Sequence, residues 1–513
     1  MAYSGKKKLS IDQHKTVSSQ PSTPESGYSK MYPKSDKLWY YLADNGCEYQ
    51  LGGGGSVIID AGSGTGSTYR INNNNTANGN YSTISGGCAN TASGYTSTIG
   101  GGKGSTTTGN YSTISGGCNN FASGNGSTVS GGYCNTASGS YSGILGGKCG
   151  TASGTWSTVG GGQCNTSSGG GSTVSGGYSN TASGDYSTVG GSYNTSSGNF
   201  STVGGGDSNT ASGYLSTVGG GAINTASNYF STVGGGCNNV SSGCISFIGG
   251  GCNNCSSGIA SVVGGGCNNV ANFTCGNGSV ISGGYCNTAS SFYSTIGGGK
   301  SNAVYSTGST VSGGEFNIAC GTGAWSSLGG GRCNIASGLA STIAGGCNNT
   351  ASTYCATIGG GRGNTASGTL SVIGGGGGSC AALWNTANSS WSAILGGAGN
   401  TASGYASISA GGKSNTSSGT GSTVSGGCNN TASNGASTIA GGRNNTASGA
   451  CSAILGGTDN SATCSYSGIF GCSITSIAAC TFHVNCLAIM NIPTTNPGIT
   501  GMVWSDSCVL KIV

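Results

Sequence analysis

Charged side chains are scarce in this chain of 513 residues, where they make up 5% of the total. Only eleven lie between residues 76 and 470, so that stretch lacks the continuous basic stripe that nucleic-acid binding requires. The net charge of +5 comes almost wholly from the first forty residues, where Lys6, Lys7 and Lys8 form a run. Such a run is either a solvated tail or a dock for an acidic partner.

Histidine is scarcer still, since only His14 and His483 occur, at opposite ends of the chain. A Ser/His/Asp or Cys/His catalytic set is therefore not expected. Asp207 and Glu315 occupy the same position of a repeat, but the seven intervening coils place them about 34 Å apart at ~4.8 Å per coil. Paired glycosidase carboxylates lie about 5 to 9.5 Å apart. The sequence predicts neither an enzyme nor a bound cofactor.

Long apolar runs are also missing. No stretch approaches the ~18 residues that span a membrane, and residues 1–10 contain no apolar run typical of a secretory signal. We therefore expect synthesis in a cytoplasm and no membrane insertion. The 25 cysteines fit a reducing cytosol poorly. A particle assembled inside a cell and later exposed outside it reconciles the two observations.

The chain has instead a fifteen-residue repeat, seen clearly in the fourteen-residue copy from Asn180 to Tyr193. It can be anchored on the Ser that precedes Thr-Val or Thr-Ile, from Ser82 to Ser467, which gives 26 units with Ala356 replacing Ser once. A β-branched residue returns in nearly every unit, which argues against disorder despite the 109 glycines. A short fixed period predicts an all-β chain of stacked coils, a parallel β-solenoid or β-roll.

Positions within the unit predict how one coil folds. With the anchoring Ser at position zero, Val or Ile falls at +2, Gly-Gly at about +4 and +5, Asn at +8, Thr at +9 and Ala at +10. This spacing fits two short strands separated by two turns, with Ser, Val and Ala on the inner face. Glycine and asparagine tolerate the left-handed backbone of the turns, as at Cys118-Asn119-Asn120.

One thin coil is not expected to be stable alone. A buried Val contributes about 1.5 to 3 kcal/mol, whereas ordering fifteen residues opposes folding by about 15 to 30 kcal/mol. Position +1 is usually Thr but tolerates apolar residues, which suggests that another chain covers this face. These substitutions are Phe247, Val262, Val280, Val372, Ala393 and Ile408. We therefore expect an obligate oligomer.

The pattern Gly-x-x-Ser-x-Val-x-Gly-Gly followed by Asn-x-Ala-Ser resembles the left-handed β-roll repeats in the head of YadA-type trimeric autotransporter adhesins. The resemblance covers residues 76–470 and implies a parallel homotrimer. Those heads usually carry two aliphatic residues flanking a small one, where this chain has a single Val.

Both ends are similar to a different group of proteins. Residues 30–51 resemble the segment that precedes the shaft in phage and giant-virus tail-fibre-like proteins, and residues 491–498, 503–507 and 509–513 resemble the end of such fibres. Bacterial adhesins of the YadA type carry a signal peptide and a membrane-anchor barrel, and neither is visible in this sequence. The resemblance therefore implies a viral fibre.

Together these expectations define four regions: a virion-attachment segment at 1–50, a transition at 51–75, a solenoid shaft at 76–470 and a C-terminal cap at 471–513. The expected task is host-cell attachment from the virion surface. Its partners would be two further copies of the chain, a capsid or tail component, and a host receptor or glycan. The alternatives are a structural filament without receptor binding and, less favoured, an ice-binding solenoid, whose Thr array would be interrupted at Gly143, Phe247, Val262 and Ile408.

Aromatic residues often precede the anchoring Ser and form a column. Trp156, Trp325 and Trp391 are the candidates for stacking on sugar rings, the alternative being stacking on one another or at a chain interface. Insertions between Ser261 and Ser279, Ser309 and Ser326, and Ser371 and Ser392 are expected to leave the coil as loops, where local specificity would lie.

Cysteines also keep phase with the repeat. Cys134, Cys149 and Cys164 recur at +7, and Cys237, Cys252 and Cys267 at +6. These columns are either small apolar fillers beside the turns or a thiol ladder capable of some disulfide pairing. Cys252-x-x-Cys255 has no second ligand pair nearby, so no metal site is predicted.

Overall fold

Most strands of this chain contain only two residues, because each coil turns a corner after a short extended segment. The computed structural model describes residues 60–69, 74–272, 278–321 and 324–485, together with the backbone of six strands nearer the ends. The chain divides into two units, Met1–Asn254 and Cys255–Val513. Both are parallel β-solenoids, with about 27 turns in all and coils of about fifteen residues, as the repeat predicts.

Two parallel ladders form each solenoid, and each residue pairs with its equivalent one coil later, as Thr98 with Thr113 and Ile99 with Ile114. The Val ladder contains positions +1 and +2. In the first unit its strands are Thr68–Tyr69, Thr83–Ile84, Thr98–Ile99, Thr113–Ile114, Thr128–Val129, Gly143–Ile144, Thr158–Val159, Thr173–Val174, Thr188–Val189, Thr202–Val203, Thr217–Val218, Thr232–Val233 and Phe247–Ile248. The Ala ladder contains positions +9 and +10. Its strands there are Thr76–Ala77, Thr91–Ala92, Thr106–Thr107, Phe121–Ala122, Thr136–Ala137, Thr151–Ala152, Thr166–Ser167, Thr181–Ala182, Thr195–Ser196, Thr210–Ala211, Thr225–Ala226 and Val240–Ser241.

The second unit repeats this arrangement. Its Val ladder consists of Val262–Val263, Val280–Ile281, Thr295–Ile296, Thr310–Val311, Ser327–Leu328, Thr342–Ile343, Thr357–Ile358, Val372–Ile373, Ala393–Ile394, Ile408–Ser409, Thr423–Val424, Thr438–Ile439, Ala453–Thr458, Gly468–Cys472 and Phe482–Val484. Its Ala ladder consists of Cys255–Ser256, Val270–Ala271, Thr288–Ala289, Ala303–Val304, Ile318–Ala319, Ile335–Ala336, Thr350–Ala351, Thr365–Ala366, Thr386–Ala387, Thr401–Ala402, Thr416–Ser417, Thr431–Ala432, Thr446–Ala447 and Ser461–Ala462.

A third ladder, absent from the predicted two-strand coil, runs through position +6. Single residues pair in parallel there, as Cys118 with Tyr133 and Tyr133 with Lys148. The flanking +5 and +7 residues both have positive φ, 93° at Gly132 and 54° at Cys134, so one extended residue lies between two sharp turns. A Cβ on Gly132 would lie 2.1 Å from the Gly147 carbonyl oxygen, which explains why +5 is glycine. The prediction of two strands and two turns per coil was therefore incomplete.

The inner face of the coil is confirmed. Ser142, Ile144 and Ala152, at positions zero, +2 and +10, are buried, as the period-two alternation predicts. Position +8 is buried as well, since Asn135 has no exposed surface. In Cys118-Asn119-Asn120 only Asn119 has a positive φ, and Asn120 points into the core. The left-handed tolerance predicted for both asparagines thus applies to the first alone.

Buried asparagines at +8 form a hydrogen-bonded ladder between coils. The Asn135 Nδ2 donates to the carbonyl oxygens of Gly131 at 2.9 Å and Gly147 at 3.0 Å. The Asn135 N–H donates to Asn120 Oδ1 at 3.0 Å, and Asn135 Oδ1 accepts from the Gly150 N–H at 2.8 Å. Each side chain thereby gives hydrogen bonds to glycine carbonyls at a corner of the coil, one of which, that of Gly147, also accepts from the Tyr133 N–H.

Separate strands lie at the two ends of the chain. Lys8–Ile11 pairs in parallel with Tyr28–Pro33, which pairs antiparallel with Trp39–Leu42, and that strand pairs antiparallel with Glu48–Leu51. Val503–Asp506 and Val509–Ile512 form an antiparallel hairpin. Solenoid pairing also includes Thr68–Tyr69 and Phe482–Val484, which lie outside the predicted shaft of 76–470.

One predicted insertion loop lies wholly within the described residues, at a corner of the coil. Residues 378–384, between Ser371 and Ser392, leave the coil and contain the 3-10 helix Ala381–Leu383. The other two insertions include residues 273–277 and 322–323, which lie outside the described residues. No helix in the described part of the chain has the length and hydropathy of a membrane span.

Candidate binding site

The turn that precedes the anchoring Ser presents the largest exposed side chains. Position −1 has a left-handed backbone throughout both solenoids, for example φ of 57° at Tyr141 and 59° at Ile245. A non-glycine residue in this conformation is disfavoured by roughly 1–2 kcal/mol. Glycine occupies the position in some coils, as at Gly126 and Gly171, yet many others retain Tyr, Trp or Phe there. Large rings kept at strained, exposed positions are typical of a functional surface.

Five of these side chains make a continuous strip, here called the aromatic edge: Tyr186, Phe200, Tyr214, Tyr229 and Phe230. Tyr186 and Phe200 stack with centroids 5.1 Å apart and planes 10° apart. Tyr214 meets Phe200 edge-on at 5.8 Å, and it contacts Tyr229 at 5.7 Å and Phe230 at 6.2 Å. Their exposed fractions lie between 40% and 58%. The rings therefore support one another while leaving much of their surface open to solvent.

A groove of about 370 Å³ runs beside this edge. It is lined by Gly198, Asn199, Ser212, Gly213, Tyr214, Ser227, Asn228 and Tyr229. Asn228 is fixed, because its Nδ2 donates to the Ser242 carbonyl oxygen at 3.0 Å and its Oδ1 accepts from the Tyr229 N–H at 2.8 Å. The Asn199 Oδ1 accepts from the Asp185 N–H at 3.1 Å.

The backbone beneath the aromatic edge is held by hydrogen bonds between coils. The Phe200 N–H donates to the Asp185 carbonyl oxygen at 2.7 Å, and the Phe230 N–H donates to that of Tyr214 at 2.9 Å. Aromatic faces beside fixed amides and hydroxyls match the apolar faces and hydroxyl groups of a neutral saccharide. No carboxylate or histidine lines the groove, so its lining offers an acid–base catalyst only in the tyrosine hydroxyls.

The predicted tryptophans are exposed, and none of them belongs to the aromatic edge. Trp156, Trp325 and Trp391 have 62%, 64% and 55% of their surface exposed and lie at position −1 with φ of 57°, 65° and 63°. Trp325 and Trp391, both in the second unit, are separated in their column by Ala340, Cys355 and Leu370. Trp325 covers Gly308, where a Cβ would lie 2.5 Å from its ring. Their role in sugar binding stays a prediction.

The cysteine columns lie where the repeat predicts, with free thiols at every described cysteine. Cys134, Cys149 and Cys164 occupy successive +7 corners with φ of 54°, 54° and 56°. Cys237 and Cys252 are direct bridge partners at +6, and Cys267 begins the equivalent column in the second unit. The structure favours neither the filler nor the ladder interpretation.

Three thiols differ from the others in proton affinity. Burial raises the pKa of Cys255 and of Cys320, whereas a hydrogen bond from the Thr458 hydroxyl lowers the pKa of exposed Cys472. The described residues contain no group of three or more His, Cys, Asp or Glu side chains arranged to hold a metal ion. Asp207 and Glu315 lie in different units, and Glu315 forms ion pairs with Lys300 at 3.1 Å and Arg332 at 3.6 Å.

Sequence reasoning missed Tyr214 and Tyr229, the rings that join the column into one strip. Both lie at position −2, whereas the predicted column contains only residues directly before the anchoring Ser. The available signal was a Tyr at −2 in two consecutive units. Comparison of the sequence with protein-family models and with curated proteins finds no match. The resemblance to adhesin heads and viral fibres therefore depends on the residues quoted for it.

Proposed function

We propose that this chain is a viral fibre protein that attaches the virion to a host cell, with the aromatic edge and its groove as a saccharide-binding surface. The observation that carries the proposal is the set of five mutually supported, exposed rings on a hydrogen-bonded backbone. A neutral glycan is the ligand that best matches aromatic faces flanked by Asn199, Ser212 and Asn228.

The remaining parts of the proposal follow from the fibre resemblance. Residues 1–50 would attach to a capsid or tail component, and the protein would act at the virion surface as a homotrimer. Exposed apolar side chains on the outer face of the second unit's Val ladder support self-association, since large apolar patches mark interfaces. They are Val372, Leu395, Ile408, Leu455 and Phe470. Light scattering would give the mass of three chains, and a folded monomer at micromolar concentration would exclude this assembly.

Glycan binding can be tested on the full-length protein with an array of neutral and charged glycans, followed by calorimetry on the best ligand. Each stacked ring contributes about 0.5–1.5 kcal/mol, so the double variant Tyr214→Ala/Tyr229→Ala should weaken binding by about tenfold or more. Tyr305→Ala is the matched control, because Tyr305 is 53% exposed and lies outside the aromatic edge.

Two outcomes would reject the saccharide surface. If no glycan binds, the alternative of a structural filament without receptor binding is favoured. If a glycan binds but the double variant and the control bind it equally well, another surface recognises it, and the variants Trp156→Ala, Trp325→Ala and Trp391→Ala should then be compared. Circular dichroism of each variant would show that the solenoid is retained.

A further inference from the structure

Most charged side chains of the second unit's solenoid share one position of the coil, with Asp459 at +7 as an exception. Between residues 255 and 443 there are six, and each occupies position +6 in the third ladder. This set, here called the charged column, consists of Lys300, Glu315, Arg332, Arg362, Lys413 and Arg443. A coil offers fifteen positions, so this coincidence reflects selection for a charged line along one corner of the solenoid.

The backbone holds the charged column rigidly. The Lys300 N–H donates to the Gly314 carbonyl oxygen at 2.9 Å, and its carbonyl oxygen accepts from the Phe316 N–H at 3.0 Å. Equivalent bonds fix Arg332 and Lys413. Adjacent rungs of a parallel ladder lie about 4.8 Å apart. Arg332 and Arg362 are two rungs apart, as are Lys413 and Arg443, so each pair of cations lies about 10 Å apart along the corner.

The charged column is net positive. Glu315 is its one acid, and it pairs with Lys300 at 3.1 Å and Arg332 at 3.6 Å. In the described part of the second unit, Arg362, Lys413 and Arg443 have no carboxylate within ion-pair distance, and all three are exposed. These cations remain available to an external anion.

We infer that the charged column binds a linear sulfated polysaccharide. A corner one residue wide suits a single extended chain, and the 10 Å cation spacing is about the length of a disaccharide. Guanidinium groups donate two hydrogen bonds to planar or tetrahedral oxyanions, and three of the five cations are arginines. Single-stranded nucleic acid is less suited, because such sites stack bases on aromatic rings. Among the described residues from Arg332 to Arg443, the one aromatic side chain at this corner is Trp384, which is half-buried against Gly363, so successive bases would find no row of rings there. The inference is independent of the aromatic edge.

The test measures binding of the full chain to immobilised heparin as a function of salt, with hyaluronan, neutral dextran and single-stranded DNA as comparators. All proteins should carry Lys6→Ser, Lys7→Ser and Lys8→Ser, so that the basic run near the start does not dominate. The triple variant Arg362→Ser/Lys413→Ser/Arg443→Ser should lose about fivefold in affinity per removed cation, with a weaker salt dependence. Ser192 occupies +6 naturally, so serine fits this position.

A variant that is expected to increase the affinity for heparin strengthens the test. Glu315→Gln should raise the affinity for heparin severalfold, because it releases Lys300 and Arg332 from their shared carboxylate. The matched control is Lys103→Ser/Lys148→Ser, which removes two +6 cations from the first unit and should change affinity less than twofold. An equal loss in this control would mean that only net charge matters and would overturn the proposal. Equal binding to hyaluronan would overturn the sulfate assignment, and equal binding to DNA would overturn the polysaccharide assignment.

Discussion

The asparagine ladder can be tested at a coil where it is interrupted. Gly150 occupies position +8 in place of Asn, so it offers no side-chain acceptor to the Asn165 N–H. It also leaves the carbonyl oxygens of Gly146 and Gly162 without the side-chain Nδ2 donor that glycines at the same positions of other coils have. We expect Gly150→Asn to restore three hydrogen bonds and stabilise the coil.

Geometry permits this substitution. Gly150 has no positive φ, and a Cβ there would lie 3.1 Å from Asn135 Oδ1 and 3.5 Å from Val159 Cγ1. A shift of Asn135 Oδ1 by a few tenths of an ångström relieves the closer contact. Three hydrogen bonds at about 1 kcal/mol each, less about 1.5 kcal/mol of side-chain entropy and plus about 0.5 kcal/mol from a less flexible unfolded chain, give a net gain of about 2 kcal/mol.

Hydrogen exchange is the suitable assay, because a solenoid opens locally rather than all at once. A gain of about 2 kcal/mol should slow exchange of the Asn165 amide about thirtyfold, where exchange proceeds by local opening of this coil. Asn135→Gly is the mirror variant and should accelerate exchange in its coil, because it breaks the bonds to Gly131, Gly147 and Gly150. Ser105→Asn should give a smaller gain, since the Ser105 hydroxyl already accepts from the Asn120 N–H at 3.3 Å. Unchanged or faster exchange in Gly150→Asn, with the fold intact, would refute the energetic role assigned to the ladder.

Two further predictions concern single rungs. Ser409 occupies the buried +2 position, its hydroxyl has no hydrogen-bond partner in the structure, and apolar Ile408 faces outward. The double variant Ile408→Thr/Ser409→Ile should therefore raise the free energy of opening of its coil by about 2–4 kcal/mol, measured by hydrogen exchange, and no gain would contradict the account of the core. At pH 8 the lowered pKa of Cys472 should make its alkylation by iodoacetamide faster than that of Cys255, whose pKa is raised by burial. Thr458→Val should slow labelling of Cys472 without affecting Cys255, and mass spectrometry would detect a failure of either expectation.

The sequence predicted the inner face of the coil because alternation determines it. Ser142 and Ile144 alternate with an outward residue, and strand geometry then leaves no other assignment. The ladder at +6 could not be predicted in this way. Tyr133 is a single extended residue between Gly132 and Cys134, both with positive φ, so no alternation marks it.

Burial of Asn120 was missed for a different reason. Asparagine has a known tolerance for the left-handed backbone, and this gave a sufficient explanation for both residues of the Asn119-Asn120 pair. The structure separates them, since the left-handed residue at +7 can be Cys, Tyr or Ile, as at Cys134, Tyr193 and Ile223. The position after it favours an amide, because only a side chain with both a donor and an acceptor joins two glycine carbonyls and a backbone N–H.

Changes in coil length explain why the proposed binding surfaces lie at corners. The coil that begins at Ser187 is one residue short, yet Thr188 still pairs with Thr202, and the missing residue falls in the turn before Ser192. Insertion of residues 378–384 likewise leaves Val372 paired with Ala393. Because the ladders fix every rung, additions and deletions are absorbed only where the chain turns. The aromatic edge at −2 and −1 and the charged column at +6 use the same freedom, since their side chains can change without altering the buried positions of the coil.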